Sequence, residues 1–470
     1  MSVAILGGGL SGLSAAYYLL KSNGKLSIRI LEGSSRLGGW IRSNKLDNGV
    51  IFEEGPRTIR PRGLAGDNTL SLVQDLGLED RITPIYAHQP AAKNRMVYAK
   101  GKLHSLPSSF GGLFKTTPPF SKPLIMYLLN DIIASSKRVE DESIYDFVNR
   151  RFGQDLADYL ISPLICGICA GDSKEISVNF LMKGLFEYEQ KYGSIYKGLV
   201  RNLFNVEKHE LSELGVKAKR EKWSVYSFKT GLETLPKTIE SHVRSRGVPI
   251  ELNSKCTKLQ LSPNNVQIQL GNKMVAPEHL ISSISSQELS RLVRDQHPVL
   301  SDLLGNIRNV TVAVINLQFG NLRLREGFGF LVPPKERLPV LGVIFDSCCF
   351  PCGDDRTVLT VMMGGAWFGR LFGDDPGEEE LLSTAQKYLK VTMGVEEAPR
   401  EWKVSVLRDC IPQYTVGHDG WVREIYRYIE ANRLPLTLCG SSYHGVGVND
   451  VIYSSRNAAE SVCKSINAMK

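Results

Sequence analysis

Short apolar runs near the two ends of the chain are each followed by a glycine-rich turn and then by a helix-period pattern. Val3 to Leu6 reads as a strand, Gly7 to Gly12 as a tight turn, and the stretch through Leu20 as a helix. Ser27 to Leu31, with β-branched Ile28 and Ile30, reads as a second strand, completing a βαβ opening. Pro435 to Cys439, Gly440 to Gly447 and the segment from Asn449 onward give strand, turn and terminal helix again. Between these ends, Leu70, Val73 and Leu76 share one helical face ahead of a capping Gly77. From about Arg95 to Arg201 the pattern is helical. Ser143 to Asp146 resembles a capping box opening a helix with Ile144, Phe147 and Val148 on one face and a stop near Gly153. Strand-like runs return at Val248 to Leu252, Val266 to Leu270 and His279 to Ile284. Val310 to Phe319, Val340 to Phe345 and Thr357 to Met363 follow, and this second set predicts an antiparallel sheet. Neither an internal repeat nor a low-complexity tract interrupts the order.

Charge changes this picture in one region. Lys and Arg number 57 against 49 Asp and Glu, a net charge of +8. Lys93, Arg95, Lys100, Lys102, Lys115, Lys122, Lys137 and Arg138 face a single acid, Asp131, so the excess is local. Apolar residues are interleaved with it, among them Met96, Leu103, Phe110 and Leu113, and the mixture suits an anionic membrane face or a solvated charged rim. No stretch approaches the roughly 18 to 20 continuous apolar residues of a spanning helix, so membrane contact is expected to be monotopic. Nine cysteines without a secretory signal favour a reduced interior with no structural disulfides. The first motif begins almost at Met1, leaving no room for a cleavable leader, so any organelle address is expected to be internal.

The chemistry begins in the opening turn. Gly7-x-Gly9-x-x-Gly12 follows a strand and opens a helix, the context in which this spacing binds a pyrophosphate. Gly7 allows the tight turn, Gly9 lets backbone approach the ligand, and Gly12 brings helix against sheet. Glu32 lies 20 positions beyond Gly12, where an acidic side chain accepts ribose hydroxyls. Arg36-Leu37-Gly38-Gly39-Trp40 and Gly55-Pro56-Arg57 supply further close backbone approaches, as a molecule as long as FAD requires. Gly445-Val446-Gly447-Val448 stands before the last helix, whose positive end would favour negative charge on a reduced ring. Lacking a second Gly-x-Gly-x-x-Gly unit, the chain has no evident nicotinamide site, so electrons are expected to come from the substrate and leave to oxygen.

These segments resemble the glutathione-reductase-like flavoproteins, a class that includes amine oxidases, phytoene desaturases and protoporphyrinogen oxidases. Gly38-Gly39-Trp40-Ile41-Arg42-Ser43, Pro90-Ala91-Ala92-Lys93-Asn94-Arg95, Pro119-Phe120-Ser121-Lys122-Pro123, Phe228 to Pro236 and Cys410-Ile411-Pro412-Gln413-Tyr414 narrow the resemblance, over nearly the whole chain, to the animal-type protoporphyrinogen oxidase family. The resemblance implies an α/β fold with three parts. They are a Rossmann-type FAD-binding domain at 1–88, 220–298 and 418–470, an inserted helical membrane-binding domain at 89–205, and an antiparallel-sheet substrate domain at 299–417. It implies oxidation of protoporphyrinogen IX to protoporphyrin IX by hydride transfer to FAD, six electrons in three cycles, with oxygen reduced to hydrogen peroxide. By the same match Gly8, Leu10, Ser11, Gly33, Thr58, Lys255 and Ser441 join the cofactor-binding set. Arg95 would pair with a substrate propionate, since a guanidinium donates two parallel hydrogen bonds to a carboxylate. Phe328, Leu331, Ile344 and Met362 would form one apolar wall, with Leu164, Gly167 and Ile168 opposite.

The resemblance also implies a homodimer on the mitochondrial inner membrane, facing the intermembrane space, with ferrochelatase contact as a pathway expectation and no nucleic-acid partner. Cys166-Gly167-Ile168-Cys169 departs from the family pattern, where basic or small polar residues and an aromatic are expected. Cys166-x-x-Cys169 and Cys349-x-x-Cys352 lie far apart without histidine nearby, so no metal site is expected. His444 abuts the last glycines but receives no role. Two other readings stay open: an amine or carotenoid oxidase of the same fold, and a flavin-free carrier like the Rab GDP dissociation inhibitors.

Overall fold

A strand whose consecutive residues Val3 to Leu6 are all apolar must be covered on both faces, which is the habit of parallel sheets. The computed structural model describes residues 1–107, 110–202, 210–263, 265–351 and 356–468. In it β1 (Ser2–Leu6) lies between β2 (Ser27–Leu31) and the strand His279–Ser282. Ile250–Glu251 and Leu436–Leu438 form the edges, and every pairing is parallel. Helix α1 (Leu10–Ser22) connects β1 to β2 and buries Leu13, Ala16 and Leu19 in the core it shares with the terminal helix Val448–Ala468. Both helices therefore start at the carboxyl edge of this sheet, where open parallel sheets bind ligands. The helix expected around Leu70 begins earlier, at Gly63, runs to Asp75, and is followed by Gly77 at φ +65°.

The second sheet corrects one expectation. Residues from Arg95 to Ser105 are not helical: they form the hairpin of β3 (Arg95–Ala99) and β4 (Lys102–Ser105). Met96 and Tyr98 enter one core while Val97 and Ala99 enter another, the two-residue period of a strand. Lys100 at φ +53° and Gly101 at φ +77° make the left-handed pair that a tight hairpin needs. The sheet continues through β5 (Asn309–Phe319), β6 (Gly329–Leu331), β7 (Val340–Phe345), β8 (Thr357–Gly365) and β9 (Glu401–Pro412), in the spatial order β9-β5-β8-β7-β6-β3-β4. It is mixed rather than purely antiparallel, because β3 runs parallel to β6.

Helices follow the hairpin: α2 (Leu124–Ile133), α3 (Ile144–Phe152) and α4 (Ser162–Cys169). Ser143 Oγ accepts the Asp146 N–H at 3.0 Å to cap α3, and Gly153 at φ +103° ends it. The interior of this region holds charge. Arg151 is fully buried and pairs with Asp131 on α2 and with Glu189, while Arg150 pairs with Glu142 and Glu189. Among the described residues no helix is long and apolar enough to cross a membrane. The eight described cysteines are free, and Cys352 lies outside the described residues.

Candidate functional site

At the carboxyl edge of the parallel sheet, Gly7 turns at φ +103°, and α1 begins behind Gly9 with no side chain capping its first N–H groups. A Cβ on Gly12 would sit 1.9 Å from the Gly7 carbonyl, so only glycine lets the helix close on the turn. Glu32, at the end of β2, accepts the Gly8 N–H at 2.6 Å and the Ser34 N–H at 2.8 Å, which fixes its carboxylate beside the turn. A second glycine pair lies over the first: Gly38 N–H donates to the Gly8 carbonyl at 2.9 Å, and the Gly39 backbone faces Gly9. Arg36 braces this pair by donating to the Gly39 and Ile41 carbonyls at 2.6 and 2.7 Å. The Trp40 carbonyl would lie 2.1 Å from a Cβ on Gly55, so these two loops also meet at backbone distance. Gly39, Trp40 and Pro56 remain exposed along this line. Uncapped donors, an acid at the second strand and three side-chain-free approaches together fit a long dinucleotide.

Three expected contributors are held differently. The Ser11 hydroxyl is buried against Ser455 Oγ at 2.9 Å and Cys439 Sγ at 3.3 Å, which leaves only its backbone facing the turn. Arg57 donates to Asp346 Oδ1 at 2.6 Å. The Ser441 carbonyl already accepts a bond from the Tyr414 hydroxyl. Gly33 lies against the exposed Lys255, Thr58 is half-buried, and Leu10 is buried at the start of α1. At the other end of the site α5 (Val448–Ala468) begins after Gly445, at φ +126°, with Gly447 N–H donating to Asp450 Oδ2 at 3.1 Å. Val446 packs on the helical region and Val448 on the parallel-sheet core. His444 stacks on Tyr426 and bonds its hydroxyl at 2.9 Å.

The apolar candidates gather on the free face of the mixed sheet. Phe330, Val343, Val361 and Met363 turn into its core, so their neighbours Leu331, Ile344 and Met362 point to the opposite side, where each is half-buried. Arg95 shares that parity on β3 and lies beside Gly329. Helix α4 covers the same face: a Cβ on Gly167 would fall 2.8 Å from Leu331 Cδ2, and Leu164 and Ile168 are half-buried beside it. Cys166 packs on this face too, in the same apolar cluster as Met362, whereas Cys169 turns toward the helices. Cys166 is buried against Val312, Val314 and Leu341, and Cys169 is buried among the helices. Burial pushes the Cys166 thiol well up and the Cys169 thiol up to about 12, which keeps both protonated. The departure from the family pattern is therefore absorbed as packing. Arg95 has no carboxylate within 4.0 Å among the described residues, and its guanidinium lies 4.6 Å over the Phe328 ring. Burial and the nearby Arg60 charge lower its pKa from the ordinary guanidinium value, as expected of a cation awaiting an anion.

Sequence reasoning missed the polar seam joining the two sheets. Asp346 accepts from Arg57 and, at 2.7 Å, from the Thr360 hydroxyl. Asn316 Nδ2 donates to Thr360 Oγ1 at 2.8 Å and to the Glu53 carbonyl at 3.1 Å. The available signal was Asn316 itself, a polar side chain between the core residues Ile315 and Leu317, on the parity of Val312 and Val314. Glu53 is pushed up to about 7 by burial, despite bonds from Leu232 N–H and the Ser43 hydroxyl. Among the described residues no cluster of three metal-ligating side chains occurs.

The site joins a dinucleotide cradle to an apolar sheet face bearing Arg95, whose guanidinium has no carboxylate partner among the described residues. The sequence pattern of the flavin containing amine oxidoreductase family matches residues 10–463. A protoporphyrinogen oxidase of Bos taurus is 40% identical over 98% of this chain and 98% of its own length. That of Homo sapiens is 39% identical with the same coverage. A solved protein from Exiguobacterium sp. 255-15, provisionally described as a protoporphyrinogen oxidase, shares the fold with a TM-score of 0.80 at 22% identity, over 99% of both chains. On the matched pattern and the near-complete alignment, this chain belongs to the flavin containing amine oxidoreductases and, among them, to the protoporphyrinogen oxidase family.

Proposed function

We propose that the chain oxidises protoporphyrinogen IX to protoporphyrin IX with FAD. The observation that carries this reading is the half-buried Arg95, without a carboxylate partner among the described residues, on an apolar face between the sheet and α4, in a chain so close to named protoporphyrinogen oxidases. FAD, when bound, accepts two electrons at a time and passes them to O2, so six electrons from the macrocycle reduce three O2 to three hydrogen peroxide. The glycine loops, Glu32 and the start of α5 hold that cofactor. Arg95 fixes a propionate by paired hydrogen bonds, and Phe328 supports its guanidinium. Leu331, Ile344, Met362 and Ile168 hold the flat ring system and exclude water from its methylene bridges. The pyrrole nitrogens stabilise the cation left when hydrogen departs a bridge, so positioning is the main demand on the protein.

The division at 1–88, 220–298 and 418–470 for cofactor, 299–417 for substrate and the helical remainder of 89–205 for membrane is retained, with the β3–β4 hairpin given to the substrate sheet. Supporting the membrane role, Met126, Leu128, Leu129, Ile132 and Ile133 of α2 are exposed, and so are the neighbouring Phe110 and Phe114. Lys102, Lys115 and Lys122 are exposed as well. The surface proposed for it is the mitochondrial inner membrane on its intermembrane side, occupied as a homodimer able to pass product to ferrochelatase. Replacing Leu129, Ile132 and Ile133 together by Ser should weaken partition into anionic vesicles by about tenfold or more. Neutralising Lys102 and Lys115 should weaken it further at low salt. Release of the wild-type protein by alkaline carbonate alone would refute hydrophobic insertion.

The functional test is anaerobic mixing of the FAD-loaded protein with protoporphyrinogen IX. Bleaching of the flavin with growth of porphyrin fluorescence is the expected result. A folded, yellow sample that stays yellow would end the proposal, and a folded protein unable to take up FAD would favour the carrier reading.

A further inference from the structure

The segment Gln413-Tyr414 leaves β9 between the two halves of the site, and its consecutive side chains reach in different directions. Tyr414 is 6% exposed, stacked on His418 with ring centroids 3.8 Å apart and met edge-on by Phe180. Its hydroxyl donates to the Ser441 carbonyl at 2.5 Å and accepts the Gly445 N–H at 2.7 Å. One oxygen thus closes the turn that aims α5, whose Gly445 has no room for a side chain because a Cβ would lie 2.5 Å from Asp450. Gln413, also 6% exposed, donates to the carbonyl of Cys169, the last residue of α4, at 2.9 Å and to the Ile411 carbonyl at 3.1 Å. Beside it, Ala366 N–H donates to the Ala170 carbonyl at 2.8 Å. The end of α4 is therefore fastened by Gln413 and by Ala366, the residue that follows β8, while the rest of α4 carries Leu164, Gly167 and Ile168.

From this geometry we infer that Gln413 and Tyr414 are positioning residues, which set the spacing between the substrate wall on α4 and the cofactor-facing turn before α5. The inference rests on the proposed function for the identity of wall and cofactor. It predicts a split that general destabilisation does not produce, because each side chain fastens a different half of the site. In the full chain, Tyr414→Phe leaves Gly445 N–H without its acceptor and Ser441 without its donor. FAD affinity should fall about tenfold, read by flavin fluorescence quenching on titrating the apoprotein, with KM for protoporphyrinogen IX unchanged. Gln413→Met keeps the shape, removes the bond to α4, and should raise KM roughly fivefold with FAD affinity unchanged.

Lowered unfolding midpoints with neither constant moved, or both constants moved together in both variants, would overturn the inference. If wild-type protein bound FAD but left protoporphyrinogen IX untouched, the proposed function would fall. The two FAD titrations would then decide the positioning role alone: affinity lost in Tyr414→Phe and kept in Gln413→Met supports it, and any other pattern removes it.

Discussion

Arg151→Leu should destabilise the protein by about 3 to 5 kcal/mol, because it removes a cation that two buried carboxylates depend on. Arg151 donates to the Asp131 carboxylate and carbonyl, to the Ala134 carbonyl at 3.2 Å and to Glu189 Oε1 at 3.4 Å. Asp131 is 2% exposed; burial raises its pKa, but bonds from Tyr196 N–H, the Ser194 hydroxyl and Arg151 outweigh this and hold it below the usual value. Without the guanidinium, Asp131 keeps only its neutral donors and Glu189 keeps Arg150. Asp131 belongs to α2, so the same loss unpins the helix that exposes Leu128, Leu129 and Ile132. A lower urea midpoint, together with more proteolysis between Leu124 and Ile133, is the expected signature. FAD content per folded molecule should not change, since the cluster lies outside the cofactor cradle. An unchanged midpoint would show that water or neighbouring donors satisfy the two carboxylates.

Local signals account for what could be read in advance. Gly7 and Gly9 in front of a helix with Gly12 in its first turn, and Ser143 in front of Ile144, state their geometry within a few residues, and the structure places the turn and the cap there. The hairpin at Arg95–Ser105 was hidden because Lys100, Gly101 and Lys102 break off a continuous apolar run only four residues long, with no alternation to mark a strand, set before a genuinely helical stretch. Partners distant in sequence were beyond reach. Arg57 suggests a ligand contact when only Gly55 and Pro56 are in view, yet its carboxylate lies 289 positions away. Ser11 likewise sits inside a dinucleotide motif while its hydroxyl serves a contact with Ser455, 444 positions on. For the substrate wall, the residue types Leu331, Ile344 and Met362 are those of any core. Only the pairing register separates them from Val343 and Val361, which are buried on the other side of the same strands.

Arg95→Ala should lower kcat/KM for protoporphyrinogen IX by about 10- to 100-fold, the loss expected when a charge-assisted pair worth roughly 1.5 to 3 kcal/mol is removed. The structure argues for the upper part of that range. The guanidinium is half-buried, rests on Phe328 and has no carboxylate within 4.0 Å among the described residues, so no described internal partner competes with a propionate. Most of the change should appear in KM, because a propionate lies far from the methylene carbons that react and is held equally in ground and transition states. Arg95→Lys keeps the charge but not the planar fork, and should recover only part of the loss. Methyl esterification of the substrate propionates supplies the matching cut from the other side. If Arg95 grips a carboxylate, the ester should be a poor substrate for the wild type and barely poorer for Arg95→Ala. An ester penalty of equal size in both proteins would place the carboxylate elsewhere, and Arg60, whose charge already bears on Arg95, would be the next guanidinium to replace.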